Sequence, residues 1–284
     1  MGIGGVPLAR RVLPADCSLA RMALPVGNGG KDSSKERVRV LLKISGESFA
    51  GEGSFGIHPG ELQAIAAEIA AAVQNGIELA VVVGGGNIIR GARLAADGSF
   101  DQSTADYMGM LGTVINGLAL KEALKSFGVE SRVLSAIHVP SVAEPFIRAR
   151  ALRHFEKGRV IILVAGTGNP FFTTDTCASL RAIELGAHVL LKGTKVDGIY
   201  SADPRRDPTA KRFDRLTFNE AIERKLGVMD LTAMTMCMEH NLPVVVFDYR
   251  TSGNIKRVIA GESIGTRVTS GAPKAQLQGA KEGR

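Results

Sequence analysis

Three observations predict an α/β fold in which a mainly parallel central sheet is sandwiched between helices, a three-layer α/β/α arrangement. Short apolar runs of strand length alternate with stretches of helical periodicity. The short runs are continuously apolar, as expected of strands covered on both faces. Unusual glycine-rich segments at 43–46, 84–87 and 166–174 sit at the ends of such runs or just after them. In an open parallel sheet those ends share one edge, and ligands bind there. Composition agrees. The chain is 45% hydrophobic but has no Trp and only 5% aromatic residues. Small and branched aliphatic residues therefore carry the packing of helices on the sheet.

Residues 39–45 (RVLLKIS) read as the first buried strand. Pro59 opens a helix with Leu62, Ile65, Ala66, Ile69 and Val73 inward, closed by Gly76. Residues 78–83 form the second strand. Residues 104–127 read as a long helix with Met108, Leu111, Ile115 and Leu118 inward and Gly128 after its end. A third strand at 129–134 and a helix from about 145 to 156 follow. The pattern continues with a strand at 160–165, a helix at about 175–185 and a strand at 189–192. Beyond Gly193 the rhythm loosens into an extended excursion. Helices are expected near 217–225 and 231–239, and strands at 244–247 and 266–268.

The net charge of +7 is concentrated at the ends. Residues 1–37 hold six basic and three acidic side chains, and 270–284 hold three and one, which leaves +2 for the body. A near-neutral body suits a small anionic substrate better than a nucleic acid, which needs a continuous basic stripe. No apolar run is long enough to cross a bilayer. Cys17, Cys177 and Cys237 have neither zinc nor disulfide spacing and read as buried or idle thiols in a reducing, cytoplasmic setting. The body is expected over 38–270, with disordered tails at 1–37 and 271–284. For the first tail an organelle-targeting peptide and a true start at Met22 are the alternatives.

Four segments carry chemistry. In Lys43-Ile44-Ser45-Gly46, a lysine ends a strand and a glycine lets backbone N–H groups approach an anion; a plain solvated lysine is the alternative. In Gly84-Gly85-Gly86-Asn87, three glycines supply no packing, and Arg90 just beyond can grip phosphate with two hydrogen bonds. The alternative is a tight turn with an exposed arginine. No Walker A or dinucleotide-binding fingerprint occurs. The segment 166–175 (GTGNPFFTTD) combines flexible glycines, flat aromatics for a base or sugar, and hydroxyls. Thr174 or Asp175 should begin the next helix. Asp175 is either a plain N-cap or, next to phosphates, a group that orients Lys43 or holds Mg²⁺ or water. Direct contact with phosphate is disfavoured, because like charges ~4 Å apart repel by about 4 kcal/mol at an effective dielectric of 20. Asp106, expected in the first turn of the long helix, either accepts both ribose hydroxyls or only complements the helix dipole. The segment 192–204 offers Thr194, Tyr200 and Asp203 to a purine nucleoside, or is a simple hairpin. His138, His154, His188 and His240 read as structural, and His58 as a helix cap.

Over residues 39–269 the chain resembles the bacterial uridylate kinases of the amino-acid-kinase superfamily. The segments GGGNIIRG (84–91), DYMGMLGTVINGLAL (106–120) and TGNPFFTTD (167–175) point to that branch. The turn at Val196-Asp197-Gly198 with Asp203-Pro204 resembles the wider superfamily. The resemblance implies the amino-acid-kinase fold and ATP-dependent phosphorylation of UMP to UDP in pyrimidine synthesis. It implies ATP binding by Lys43, Ile44, Ser45, Gly46, Gly86, Arg90, Thr194, Tyr200 and Asp203. UMP would be bound by Gly85, Asp106, Thr167, Gly168, Asn169, Pro170, Phe171, Phe172, Thr173 and Thr174. Lys43, Arg90, Asp175 and Asp230 are the expected catalytic set. Gly51, Glu52, Gly53, Ser54, Phe55 and Gly56 match a GTP-responsive segment. A homohexamer, activation by GTP and inhibition by UTP are also implied. Gly193 departs from the alanine of many relatives, which is expected to loosen the ATP-side turn.

A phosphate acceptor is already anionic, so no general base is needed. With no dense carboxylate cluster in the sequence, Mg²⁺ is expected to arrive with ATP. The rival readings are a kinase of the same superfamily acting on a carboxylate or carbamate, and a non-enzymatic storage or regulatory protein on this fold.

Overall fold

A computed structural model describes residues 37–51, 54–74, 76–89, 96, 98, 100–204 and 206–271. Apart from residues 37 and 271, the expected tails lie outside the described residues, and so does Cys17. The chain runs β1 (Arg39–Ile44), a 3₁₀ turn (Gly46–Ser48), α1 (Pro59–Val73), β2 (Glu78–Val83) and α2 (Gln102–Ser126). Next come β3 (Ser131–Ser135), β4 (Glu144–Pro145), α3 (Arg148–Glu156), β5 (Val160–Val164), α4 (Thr174–Leu185) and β6 (Val189–Thr194). It ends with β7 (Ile199–Tyr200), β8 (Arg212–Phe213), β9 (Arg215–Thr217), α5 (Phe218–Glu223), α6 (Leu231–Glu239), β10 (Val244–Asp248), α7 (Asn254–Ile259) and β11 (Thr266–Thr269).

Among the described residues nine strands make one sheet, in the order β4-β3-β5-β2-β1-β6-β10-β11-β9. Neighbours are parallel except β10 and β11. β7 and β8 form a separate antiparallel hairpin. The central strands are buried on both faces, and alternation sorts their side chains between two cores. Val40, Leu42 and Ile44 pack in one core with Ile65 and Ile69 of α1 and Leu120 of α2. Leu41 packs in the other with Ala178 and Ala182 of α4. Lys43 therefore falls on the α4 side. A slip of one residue would exchange the faces and bury that ammonium in the α1 core.

The short elements β4, β7, β8, β9 and α7 were not anticipated, since two to six residues carry too little periodicity. The helix expected from about 145 starts only at Arg148. Pro145, which lacks an N–H donor, sits instead in the edge strand β4. The inner face of α2 also differs from expectation. Leu111 is 48% and Ile115 47% exposed, whereas Gly112, Thr113, Asn116, Gly117 and Leu120 are buried. Small residues let α2 approach the sheet. A Cβ on Gly117 would stand 2.4 Å from Val164 Cγ1. Buried polar side chains on that face anchor the loops described next. His58 occupies the N-cap position of α1, but its side chain makes no capping hydrogen bond. Gly193 lies within β6 rather than in a turn, packed against Tyr249.

Candidate active site

The turns after β1, β2 and β5 meet at one edge of the sheet. Gly46 lies against the turn after β2, where an added Cβ would stand 2.6 Å from the Gly86 nitrogen. A Cβ on Gly84 would stand 2.6 Å from the Gly46 nitrogen. Glycine is thus required on both sides, because the two turns touch backbone to backbone. Gly85 backs onto α2, with the Gly109 carbonyl 2.5 Å from the position of a Cβ.

Two buried side chains of α2 fasten these turns. Asn116 Nδ2 donates to the Gly84 carbonyl at 2.7 Å and to Asn87 Oδ1 at 2.6 Å. Thr113 Oγ1 accepts the Ala165 N–H at 2.6 Å, just where β5 ends. Ala165 and Gly166 both take left-handed backbone angles (φ 62° and 57°), which swing the third loop over the sheet edge. Gly85, Gly86, Asp106, Thr167, Asn169, Phe172, Thr173 and Thr174 then line a single cleft of about 150 Å³. Gly168, Pro170 and Phe171 belong to the same loop without lining the cleft.

Asp106 falls in the second turn of α2, because Asp101 caps the helix by accepting from Ser103 and Thr104 N–H. The helix-dipole role therefore belongs to Asp101. One Asp106 oxygen accepts the Phe171 N–H at 2.8 Å, and the other accepts Gln102 Nε2 at 2.8 Å. The carboxylate thus joins α2 to the third loop across the cleft.

The N-cap of α4 is Thr173, whose Oγ1 accepts the Asp175 and Thr176 N–H groups. Thr174 begins the helix, as the sequence suggests, and Asp175 does not cap it. Asp175 instead turns inward, its Oδ1 2.9 Å from Lys43 Nζ and its Oδ2 accepting from Lys192 Nζ at 2.6 Å. The Lys43 contact is an ion pair without hydrogen-bond alignment, so Oδ1 remains a buried acceptor lacking an aligned donor. Burial pushes the Asp175 carboxyl up, but the charges of Lys43 and Lys192 outweigh it and hold it below the ordinary aspartate range. Burial, with the neighbouring charge of Lys43, holds the Lys192 ammonium below the ordinary lysine range despite the pull of Asp175. Asp230 caps α6 through Ala233 N–H and accepts the hydroxyls of Thr173 and Thr176 at 2.5 and 3.0 Å. It braces the start of α4 from behind.

A carboxyl depressed on folding stabilises the native state above its unfolded pKa, and that contribution fades as pH falls through the native value. Unfolding midpoints measured against pH are therefore expected to fall on acidification below the ordinary aspartate value of 3.8. Asp175→Asn should flatten that part of the curve. An unchanged acid limb would remove the ion pair from the account.

Among the other expected residues, Ile44 keeps its side chain in the core, which leaves only its backbone to face a ligand. Thr194 ends β6 at the same edge, its hydroxyl donating to Val196 O at 2.7 Å. Tyr200 and Asp203 lie in and after the β7 strand, where the Tyr200 hydroxyl donates to Asp197 at 2.7 Å. Thr194, Tyr200 and Asp203 do not line the cleft. In the 51–56 segment, Gly56 exchanges hydrogen bonds with Asn87, and Phe55 is 74% exposed. Glu52, Gly53 and Arg90 lie outside the described residues. Burial pushes the Cys177 thiol up to about 12 and the Cys237 thiol up to about 11, so neither offers a thiolate at neutral pH. Lys192, Thr113 and Asn116 were not singled out from the sequence. Lys192 had a signal, since like Lys43 it closes an apolar strand.

Lys43 and Asp175 stand at this sheet edge without lining the cleft, which Gly85 and Gly86 of the second glycine turn do line. Residues 38–248 match the model of the amino acid kinase family. The chain belongs to the amino acid kinase family. Its fold is similar to that of a UMP kinase from Bacillus anthracis, at 38% identity and a TM-score of 0.80, over 83% of this chain and 97% of that one. A UMP kinase from Ureaplasma parvum matches at 37% identity and a TM-score of 0.78, over 83% and 100% of the two chains. A uridylate kinase from Archaeoglobus fulgidus matches at 29% identity and a TM-score of 0.64, over 81% and 99%.

Proposed function

We propose that this enzyme transfers the γ-phosphoryl group of ATP to UMP, releasing ADP and UDP, as a step of pyrimidine nucleotide synthesis. The observation that carries the reading is one cleft, closed by Asp106 and the 166–174 loop, opening onto the glycine turns beside Lys43. Similarity to UMP kinases of two bacteria and an archaeon supports the acceptor.

In this reaction an oxygen of the UMP phosphate bonds to the γ-phosphorus while the bond to the bridging oxygen of ADP breaks. The electron pair leaves with ADP, and no proton has to move. The chain's task is alignment and charge compensation. Lys43 meets charge developing on the transferred group, with the N–H groups of residues 44–46 and Gly86 along the ATP phosphates and Arg90 beside them. Gly85 and residues 167–174 hold UMP, Asp106 holds its ribose, and Thr194, Tyr200 and Asp203 serve the adenosine. Asp175 orients Lys43, and Asp230 braces the loop that carries Thr173.

Mg²⁺ would lower the repulsion between the phosphates when bound. Asp175 is a single carboxylate already flanked by two ammonium groups, and among the described residues no group of three or more His, Cys, Asp or Glu side chains could hold a metal ion. That donor set fits a metal carried by the nucleotide rather than by the protein.

Regulation and assembly belong to the same proposal. GTP would act through residues 51–56, whose Gly56 is bonded to Asn87 of the second glycine turn. UTP would inhibit. Tyr107, Leu111 and Ile115 form an exposed apolar stripe on α2, which suits self-association into a homohexamer. No described helix is long and apolar enough to cross a membrane.

ADP release measured with UMP, CMP, glutamate and aspartate as acceptors tests the reading. Turnover is expected with UMP, and turnover with an amino acid instead would overturn it. Asp106→Asn is expected to raise the KM for UMP about tenfold with kcat little changed, the scale of one lost charged hydrogen bond. A KM equal to the wild type's would confine Asp106 to holding the Phe171 backbone.

A further inference from the structure

We infer that Lys192 is a positioning residue for phosphoryl transfer: it fixes the Asp175 carboxylate, which in turn sets the place of the Lys43 ammonium. The inference rests on the kinase reading above. Lys192 and Lys43 are cross-strand partners in the register of β6 and β1, so both side chains rise from the same face at the same edge. Their side chains are 15% and 10% exposed. Two ammonium groups set side by side with so little water repel one another, and a single carboxylate lies on both.

The two lysines differ in what else they touch. Lys192 Nζ donates to Asp175 Oδ2 and to the Val228 carbonyl, both at 2.6 Å. Those two bonds tie it to α4 and to the segment before α6, leaving it little freedom to follow a substrate. Lys43 meets Asp175 through an ion pair at 2.9 Å that lacks hydrogen-bond alignment. The anchored lysine therefore holds the carboxylate, and the less constrained one can turn a donor toward phosphate. Asp175 offsets the repulsion between the two lysines, and the Lys43 ammonium is the positive group left to meet a transferring phosphoryl group. The groups facing Asp175 are Lys43 from β1, Lys192 from β6 and Cys237 from α6, and the Asp230 carboxylate faces Lys192. Among these, Lys43 and Lys192 supply positive charge.

The test measures steady-state ADP release by the full chain with ATP and UMP in Lys192→Met and Lys192→Gln. Methionine keeps the bulk of the stem. Glutamine keeps a donor for Val228 or Asp175 without the charge. Both variants are expected to lose about tenfold to a hundredfold in kcat, the scale of a misplaced catalytic group, while the KM values for UMP and ATP change little. Their kcat is expected to fall away at higher pH on the acid side than the wild type's, because Asp175 has lost one of the two cations that keep it ionised. Because Lys192 acts through Asp175, the double variant with Asp175→Asn should be no slower than Asp175→Asn alone. Wild-type kcat and acid limb in either variant would overturn the inference, as would losses that multiply in the double variant. A variant that loses its melting transition would also overturn it, since the lysine would then be a folding element. A wild-type protein inactive with UMP would refute the kinase reading itself, whereas an active wild type with unimpaired variants refutes only the role of Lys192.

Discussion

Lys43→Ala is expected to lower kcat for UMP phosphorylation by about 10²–10³-fold, the effect of removing one donor aimed at transition-state charge. The size follows from where the ammonium sits. Lys43 stands next to last in β1, 8% exposed, three residues before Gly46 and its backbone contact with the second glycine turn. Little water reaches it, so its charge acts through a low effective dielectric. Substrate binding draws on many other contacts, so the KM values should change less than kcat. The fold should survive, because Asp175 retains Lys192 as a partner at 2.6 Å. Steady-state ADP release together with a thermal unfolding curve checks both halves. Wild-type turnover from a folded variant would dismiss Lys43 from the reaction.

Gly46→Ala should cripple the enzyme by a different route. The new methyl group would meet the Gly86 nitrogen and Asn87 Oδ1 at 2.6 Å and the Gly84 carbonyl carbon at 2.9 Å. Two of these are backbone atoms, so no rotamer change relieves the clash. The two turns must separate, at a cost of about 1–3 kcal/mol in stability. Because the same turns cradle the donor phosphates in the proposed mechanism, kcat/KM for ATP should fall by at least about tenfold, the displacement of a positioned group. Asn87 also bonds Asn116 and Gly56, so the disturbance should reach α2 and the 51–56 segment. Activity and melting temperature read the two effects. An unaltered melting temperature would mean that the turns tolerate a side chain and that their glycines serve another purpose.

These predictions draw unequally on sequence and structure. The strands were legible because fully buried parallel strands are continuous apolar runs, and 78–83 matches β2 residue for residue. The inner face of α2 was not legible from periodicity. Leu111 and Ile115, two of the residues expected inward, point outward, while Thr113, Asn116 and Gly117 point in beside Met110, Val114 and Leu120. A hydrophobicity pattern assumes that the core wants the largest apolar side chains. Here the core side wants small residues for close approach and polar ones for the loop backbones. At the start of α4 the sequence left Asp175 either a cap or a partner of Lys43, and the cap supplied by Thr173 decides for the ion pair.

By itself the sequence determined the layered α/β architecture, the edge at which the glycine turns gather, and the residue types available there. Those follow from local periodicity and from the geometry shared by all open parallel sheets. Only the tertiary structure decided that Lys43 and Lys192 stand side by side on one carboxylate, and that Asp106 reaches the Phe171 backbone across a cleft. Such pairings join residues 149 and 65 positions apart, and they depend on strand register and side-chain direction, which no local pattern encodes.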